Sequence, residues 1–353
     1  MDATQSATAK WHRPARIDLA IAHWRERRAR KAGYQATVIP YAGYGSTEWI
    51  RVLGRVILAR EPERLLRQEP VGTRGWRNFT SVPAGAAEVV VDIDGVQQQI
   101  SADHSGIVDA VVPAQLAPGW HTIGLSAEGS EPAPARIVIV DPDEDFGIVS
   151  DIDDTVMVTA LPRPLLAAWH TFVVNEHARA TTPGMPVLYE RLTNRHADPP
   201  VVYLSTGAWN VAPTLTRFLS RNLYPPGVLL LTDWGPTADR WFRSGQAHKR
   251  GSLERLTKEF PKITWLLFGD DGQHDEAIYT DFVEAHPDKV RCVCIRRLTP
   301  SEAVLAGTSL RAHPSARKTG VPWLYASDGA GFADELERVG VLTPELHQPE
   351  VSS

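Results

Sequence analysis

Apolar and polar positions follow two different rhythms along this chain. Between Tyr34 and Val140, short apolar runs are cut by turn signals at Asp94-Gly95, Ser105-Gly106, Pro118-Gly119 and Gly129. Residues 49–58, 88–93, 107–112, 120–125 and 136–140 read as strands, and 60–68 as a short helix or loop. Several short strands at this spacing predict a small β-sandwich domain over 34–143. The acidic stretch Asp141-Pro142-Asp143-Glu144-Asp145 closes that regime.

After it, continuous apolar runs alternate with helical periodicity. Strands are predicted at 146–150, 201–205, 228–232, 264–268 and 290–295. Helices are predicted between them at 163–178, 185–195, 211–222, 248–260 and 275–286. Runs apolar throughout suit strands covered on both faces. The alternation predicts an α/β class, a doubly wound parallel sheet over 144–340, with ligands beyond the carboxyl ends of its strands. Residues 309–320 read as loop, 321–325 as a further strand, 332–339 as a last helix and 341–353 as a flexible tail. Ahead of both regimes, 17–31 is an amphipathic helix whose end carries Arg25, Arg27, Arg28, Arg30 and Lys31, within an N-terminal segment 1–33.

Composition bounds the function. The 353 residues leave room for two domains, and 43% hydrophobic with 22% charged residues describes soluble globular protein. A net charge of -5 offers no general attraction to nucleic acid, and no nucleic-acid partner is expected. Cys292 and Cys294, the two cysteines, sit in one apolar run and read as buried small hydrophobes. No stretch is long enough to span a bilayer, and Met1–Lys10 lacks the apolar core of a signal peptide. A cytoplasmic protein is expected. The 17–31 helix offers peripheral membrane contact, although packing on its own protein is the commoner use of such a helix.

The chemistry sits at the predicted strand ends. The run Ile148-Val149-Ser150 leads into Asp151, Asp153, Asp154 and Thr155. Alternate strand residues share a face, so Asp151 and Asp153 are expected to point together. Two close carboxylates repel unless a cation or shared proton compensates, and Mg2+ is the usual hard cation beside phosphates. Acidic turns and helix caps make the same pattern without chemistry. The second strand ends in Ser205-Thr206-Gly207, His248-Lys249 opens the fourth helix, and the fourth strand ends in Gly269-Asp270-Asp271-Gly272-Gln273-His274-Asp275. Each residue type suits phosphoryl transfer: a carboxylate to attack phosphorus, another to move a proton, a hydroxyl and an ammonium for the equatorial oxygens, and distal carboxylates for the metal.

The order Asp-x-Asp-x-Thr, Ser, Lys, Gly-Asp-x-x-x-x-Asp resembles the haloacid dehalogenase superfamily. Arg179, Pro183-Gly184-Met185, Leu188-Tyr189, Trp209, Phe260-Pro261, Ile278-Tyr279 and Ile295-Arg296 resemble the catalytic domain of App1-type phosphatidate phosphatases. Tyr41-Ala42-Gly43-Tyr44-Gly45 and Gly54-Arg55-Val56 also fit that family. The resemblance implies a phosphatase and a haloacid-dehalogenase-like form of the sheet. It implies Asp151 as nucleophile and Mg2+ ligand, and Asp153 as general acid/base and, through its backbone carbonyl, a ligand. Ser205, Thr206 and Lys249 would bind the phosphoryl group, Asp270 the metal, and Asp275 the metal or its neighbours, while Thr155 would steady the first loop. The implied substrate is phosphatidate, cleaved to diacylglycerol and phosphate. The family usually carries Ser-Asn-Ser-Pro-Trp after the second strand, where this chain has Ser205-Thr206-Gly207-Ala208-Trp209. A soluble phosphomonoester therefore stays open as substrate, as does a membrane-binding scaffold.

Other features have plainer readings. His248 and His274 suit polar surface positions, Gly43-Tyr44-Gly45 a tight turn, and Asp141, Asp143 and Asp145 a solvated linker rather than a Ca2+ site. Arg240, Arg243, Lys249 and Arg250, with Trp234 and Trp241 nearby, form either a basic rim for an anionic head group or an ordinary charged surface.

Overall fold

The computed structural model describes residues 23–60, 82–158, 180–196, 198–232, 238–272, 274–299 and 319–344. Eight strands come first: β1 (Gln35–Gly45), β2 (Trp49–Ala59), β3 (Val82–Pro83), β4 (Glu88–Ile93), β5 (Val96–Ser101), β6 (Ile107–Pro113), β7 (Gly119–Ala127) and β8 (Ala133–Ile139). They form one sheet in the order β3-β2-β1-β8-β7-β4-β5, with β6 also paired to β2. The pairs are antiparallel except β1 with β8, which run parallel. The sheet curls until one end approaches the other, where Gln98 Nε2 on β5 donates to the Pro113 carbonyl on β6 at 2.8 Å. Val38, Val52, Val56, Val89, Val91, Val108, Leu125 and Ile137 are buried together in one apolar cluster of this sheet.

Six strands follow: β9 (Phe146–Asp151), β10 (Val201–Ala208), β11 (Val228–Thr232), β12 (Thr264–Asp270), β13 (Val290–Arg296) and β14 (Trp323–Ala326). They form an all-parallel sheet in the order β11-β10-β9-β12-β13-β14. Among the described residues, α1 (23–31) precedes the first sheet. The helices α2 (Met185–Thr193), α3 (Ala212–Arg221), α4 (Ala238–Glu259), α5 (Asp275–Ala285) and α6 (Gly329–Arg338) accompany the second. The last starts at Asp328, whose side chain caps the Gly331 N–H. No described helix is long and apolar enough to cross a membrane.

This architecture corrects the predicted class. A curled mixed sheet replaces the expected β-sandwich, and with the all-parallel sheet it makes the chain a largely β fold rather than a doubly wound α/β protein. Period-two alternation reports that a strand has one buried face. It does not report whether a second sheet or the curl of the same sheet covers that face. The helix predicted at 163–178, which the doubly wound reading needs after β9, lies outside the described residues, as do 1–22 and the tail from 345. Strand β1 escapes the sequence reading because Pro40, Gly43 and Gly45 look like turn residues. Helix α4 starts at Ala238 rather than His248, because its first turns lack the apolar periodicity that marks a helix.

The outer face of the curled sheet is also apolar. Tyr41, Tyr44, Leu53, Ile107, Val138 and Val140 belong to the same cluster as the core of the parallel sheet. At its edge Glu259, the last residue of α4, accepts from Arg51 Nη2 at 2.7 Å, Arg51 Nε at 3.1 Å and the Tyr44 hydroxyl at 2.7 Å. Arg51 also pairs with Asp109, which accepts from Arg255 Nη1 at 3.0 Å. Arg51 and Glu259 are only 15% and 14% exposed, so screening by water is limited. Glu259→Ala is expected to cost about 2–3 kcal/mol in chemical denaturation, by leaving the Arg51 guanidinium and Tyr44 hydroxyl short of a partner, and Glu259→Gln distinctly less.

Candidate functional site

A parallel sheet brings the carboxyl ends of its strands to one edge, and β9 lies between β10 and β12. Asp151 ends β9 in register with Leu204 of β10, one residue before Ser205. Ser150 is in register with Phe268, two residues before Asp270 at the end of β12. Three of the expected residues therefore meet by strand register alone. Their neighbourhood is dry: Asp151 is 2% exposed, Asp270 0%, Asp275 1%, Ser205 0% and Lys249 2%.

Carboxylate oxygens of Asp151, Asp270 and Asp275 lie within 4.8 Å of one another. Lys249 Nζ reaches in from α4, 2.6 Å from Asp151 Oδ1 and 2.5 Å from Asp275 Oδ1. Asp270 Oδ1 accepts from the Gly272 N–H at 2.7 Å. The second oxygens of Asp151, Asp270 and Asp275 are buried with no hydrogen-bond partner. Three carboxylates thus face one ammonium. Burial works to lower the Lys249 pKa, but Asp151 and Asp275 outweigh it and hold the ammonium above its ordinary value. Burial pushes the Asp151 carboxyl up against the pull of Lys249. It pushes Asp270 up as well, and there the charges of Asp275 and Asp151 add to the effect. A neutral Asp151 would not hold Lys249 charged, and the two short contacts favour the ion pair. One ammonium offsets only one of three carboxylate charges, and its hydrogen bonds go to Asp151 and Asp275 rather than to Asp270. Three orphaned buried oxygens, all hard donors with no sulfur among them, fit a divalent cation.

Two glycines let these groups approach. A Cβ on Gly269 would stand 2.7 Å from Asp275 Cβ and 2.8 Å from Tyr279 Cε2, so only a bare backbone lets the first residue of α5 close over β12. A Cβ on Gly245 would stand 2.8 Å from Thr206 Cγ2 and 3.2 Å from Thr206 Cβ. Gly245 is one helical turn before Lys249, and so sets how near α4 comes to the loop after β10.

Asp153 is positioned differently from the expectation. Strand β9 ends at Asp151, so alternation does not govern Asp153. The chain turns instead: the Ile152 carbonyl accepts from Val156 N and Met157 N, both at 3.0 Å, and Asp154 N donates to the Met157 carbonyl at 2.8 Å. Asp154 takes the left-handed conformation, φ 60°, and its carbonyl accepts from Arg296 Nη1 at 2.8 Å. The turn sets Asp153 Oδ2 3.2 Å from the Ser205 hydroxyl, which donates to it, and the Asp153 carboxylate stands outside the three-carboxylate group. Thr155 is fully buried, and its hydroxyl makes no hydrogen bond to the loop.

Ser205 lies in an irregularity of β10. Leu204 pairs with Leu230 and Ala208 with Thr232, so four residues of β10 pass two of β11. Ser205, Thr206 and Gly207 stand against Leu231 alone, two residues in excess, as in a bulge. The Gly207 N–H donates to Ser205 Oγ at 3.0 Å, and the Thr232 hydroxyl donates to the Thr206 carbonyl at 2.8 Å.

Sequence reasoning missed Thr232 and gave Arg296 no structural role. The available signal for Arg296 was a lone charge ending an apolar strand, and it is only 3% exposed. Other candidates take local positions. His248 bonds the Leu230 carbonyl at 3.2 Å, and burial lowers its pKa to about 4. His274 is the N-cap residue of α5. Arg250 pairs with Asp281 at the surface. Asp141 Oδ1 accepts from its own turn at Asp143 N. Arg179 and Trp234, and the side chains of Arg240, Trp241 and Arg243, lie outside the described residues.

Two variants test this arrangement without reference to function. A carboxyl held above its unfolded-state pKa binds its proton more tightly when folded, so stability is lost as pH rises through the folded value. Asp270→Asn is therefore expected to raise the melting temperature of metal-free protein at pH 7 by a few degrees, and the gain should shrink as pH falls. Gly245→Ala should cost about 1–3 kcal/mol by crowding Thr206, despite the better helix propensity of alanine. Adding Thr206→Ser, which removes the crowded methyl, should restore part of that loss in a double-mutant cycle.

Residues 146–297 match the family model for the phosphatidate phosphatase APP1 catalytic domain. The chain is 26% identical over 114 residues to phosphatidate phosphatase APP1 of Saccharomyces cerevisiae, covering 32% of this chain and 19% of that protein. It is 26% identical over 117 residues to an uncharacterized protein of Schizosaccharomyces pombe, covering 33% and 19%. The matched stretch thus spans about a fifth of either relative. A carbohydrate acetylesterase from Xanthomonas citri superposes with a TM-score of 0.26 at 12% identity, covering 75% of this chain and 71% of that one, a likeness too weak to bear on fold or function. Residues 146–297, which hold the acidic cluster, thus resemble the App1 catalytic domain.

Proposed function

We propose that this chain is a Mg2+-dependent phosphatidate phosphatase working through an aspartyl-phosphate. The observation that carries the reading is the buried group of Asp151, Asp270 and Asp275, with three orphaned oxygens and Lys249 wedged between two of its members. The match of residues 146–297 to the App1 catalytic-domain model supports the substrate class.

Asp151, Asp270 and Asp275 would hold the cation. The all-oxygen donor set supports Mg2+, which when bound would neutralise the carboxylates and the phosphate. The chain's own residues do the rest. A carboxylate oxygen of Asp151 bonds to phosphorus while the ester P–O bond breaks. Asp153 gives the leaving oxygen a proton, releasing diacylglycerol. Asp153 then takes a proton from a water attacking the same phosphorus, the Asp151–phosphorus bond breaks, and phosphate leaves with both carboxyls restored. Ser205, aided by Thr206, and Lys249 bind the non-bridging oxygens, where charge accumulates. The hydrogen bond between Ser205 and Asp153 supports their acting on one phosphoryl group.

An exposed Trp24 beside Arg25, Arg27 and Arg28 supports contact with an anionic lipid surface. The Arg30 contact with Glu128, in the turn just after β7, would tether that helix to the curled sheet.

The test is phosphate release by purified protein from phosphatidate in mixed micelles and from water-soluble phosphomonoesters, with Mg2+ or with chelator. Phosphatidate should be preferred, chelation should abolish release, and Asp151→Asn should lower kcat by about 10³-fold or more. Full activity in Asp151→Asn would sink the mechanism. Faster turnover of soluble esters would overturn the lipid assignment. Liposome binding without phosphate release would make the chain a scaffold.

A further inference from the structure

The motif Tyr41-Ala42-Gly43-Tyr44-Gly45 is not a turn between strands. It lies inside β1, where Tyr41 is in register with Leu53 and Tyr44 with Arg51. Three steps along β1 match two along β2, so β1 carries one extra residue, a bulge. In a regular strand, residues three apart face opposite sides. Here both rings are buried in the core of the parallel sheet, Tyr41 at 7% and Tyr44 at 2% exposure. Gly43 permits this, since a Cβ there would stand 2.3 Å from the Arg51 carbonyl oxygen.

What the two rings hold is specific. The Tyr41 ring stacks on Trp209, centroids 4.9 Å apart and planes 14° off parallel, and its hydroxyl donates to the Trp209 carbonyl at 3.0 Å. Trp209 directly follows the strand that carries Ser205, Thr206 and Gly207. Thr232 holds that loop from the other side through the Thr206 and Gly207 carbonyls, at 2.8 and 3.2 Å. Tyr44 bonds Glu259, at the end of the helix bearing Lys249.

We infer that the bulge in β1 makes the curled sheet part of the phosphoryl site, with Tyr41 as a positioning residue that fixes the Ser205 turn through Trp209. This rests on the phosphatase reading only for its kinetic consequence. The contacts run from Tyr41 to Trp209 and through the turn to Ser205, whose hydroxyl accepts from Gly207 N–H and donates to Asp153. Losing the Tyr41 hydroxyl leaves the Trp209 carbonyl to the Ala212 N–H and loosens the end of that series opposite Thr232.

The experiment compares full-length wild type, Tyr41→Phe, Tyr41→Ala and Val91→Ala. Val91 is fully buried in the curled sheet's own core, so Val91→Ala supplies destabilisation without touching Trp209. Amide deuterium uptake across 205–211 is measured beside kcat/KM for a phosphomonoester. Tyr41→Phe keeps the stack and loses the hydrogen bond; it should raise uptake across 205–211 and lower kcat/KM about tenfold. Tyr41→Ala should lower it about a hundredfold. Val91→Ala should leave both readouts within about twofold of wild type at a comparable loss of melting temperature. Wild-type uptake across 205–211 in both Tyr41 variants, or an equal response in Val91→Ala, overturns the positioning role. If wild type releases no phosphate from any ester, the phosphatase reading falls, and the uptake comparison still decides the role of Tyr41.

Discussion

The constraint on which this structure turns is an excess of buried negative charge. Asp151, Asp270 and Asp275 converge where they are buried from bulk solvent, and Lys249 is the cation that bridges two of them. Isolated charges in such a place cost several kcal/mol each. The arrangement persists because rigid elements deliver each group: Asp151 and Asp270 come on central strands, Asp275 at the first position of α5, and Lys249 from mid-helix. A dry, overcharged pocket is costly as scaffolding and well suited to a cation carrying a phosphate, since charge interactions are strongest where water is excluded.

The surrounding fold can be read as the means of bearing that cost. Gly269 and Gly245 remove side chains where α5 and α4 must come close. Arg296, itself buried, ties the first loop to the end of β14 by bonding the Asp154 and Ser327 carbonyls. The curled sheet contributes from outside through Arg51, Tyr44 and Tyr41, and its outer face shares a core with the parallel sheet. Two stretches of chain with different hydrophobic rhythms are in this sense one packed object at the site.

Much of the candidate site was readable before any coordinates. Asp151, Ser205, Lys249, Asp270 and Asp275 are brought together because apolar runs mark parallel strands, and parallel strands share a carboxyl edge. The class of the fold was read wrongly, since alternation counts buried faces and not what buries them. Asp153 was assigned to strand geometry that stops two residues earlier. Gly43-Tyr44-Gly45 looked like a tight turn because the residues that permit a bulge also permit a turn.

The sequence by itself determined the chemical inventory and its order: which carboxylates, which lysine, which hydroxyl, and that most stand at strand ends. Those are local properties, carried by residue type and by hydrophobic period. Tertiary structure alone decided that Asp153 faces Ser205, that Lys249 divides itself between Asp151 and Asp275, and that a tyrosine more than a hundred residues upstream grips the turn after β10. These depend on register, curl and close approach between distant segments, and no periodicity within one segment encodes a partner in another.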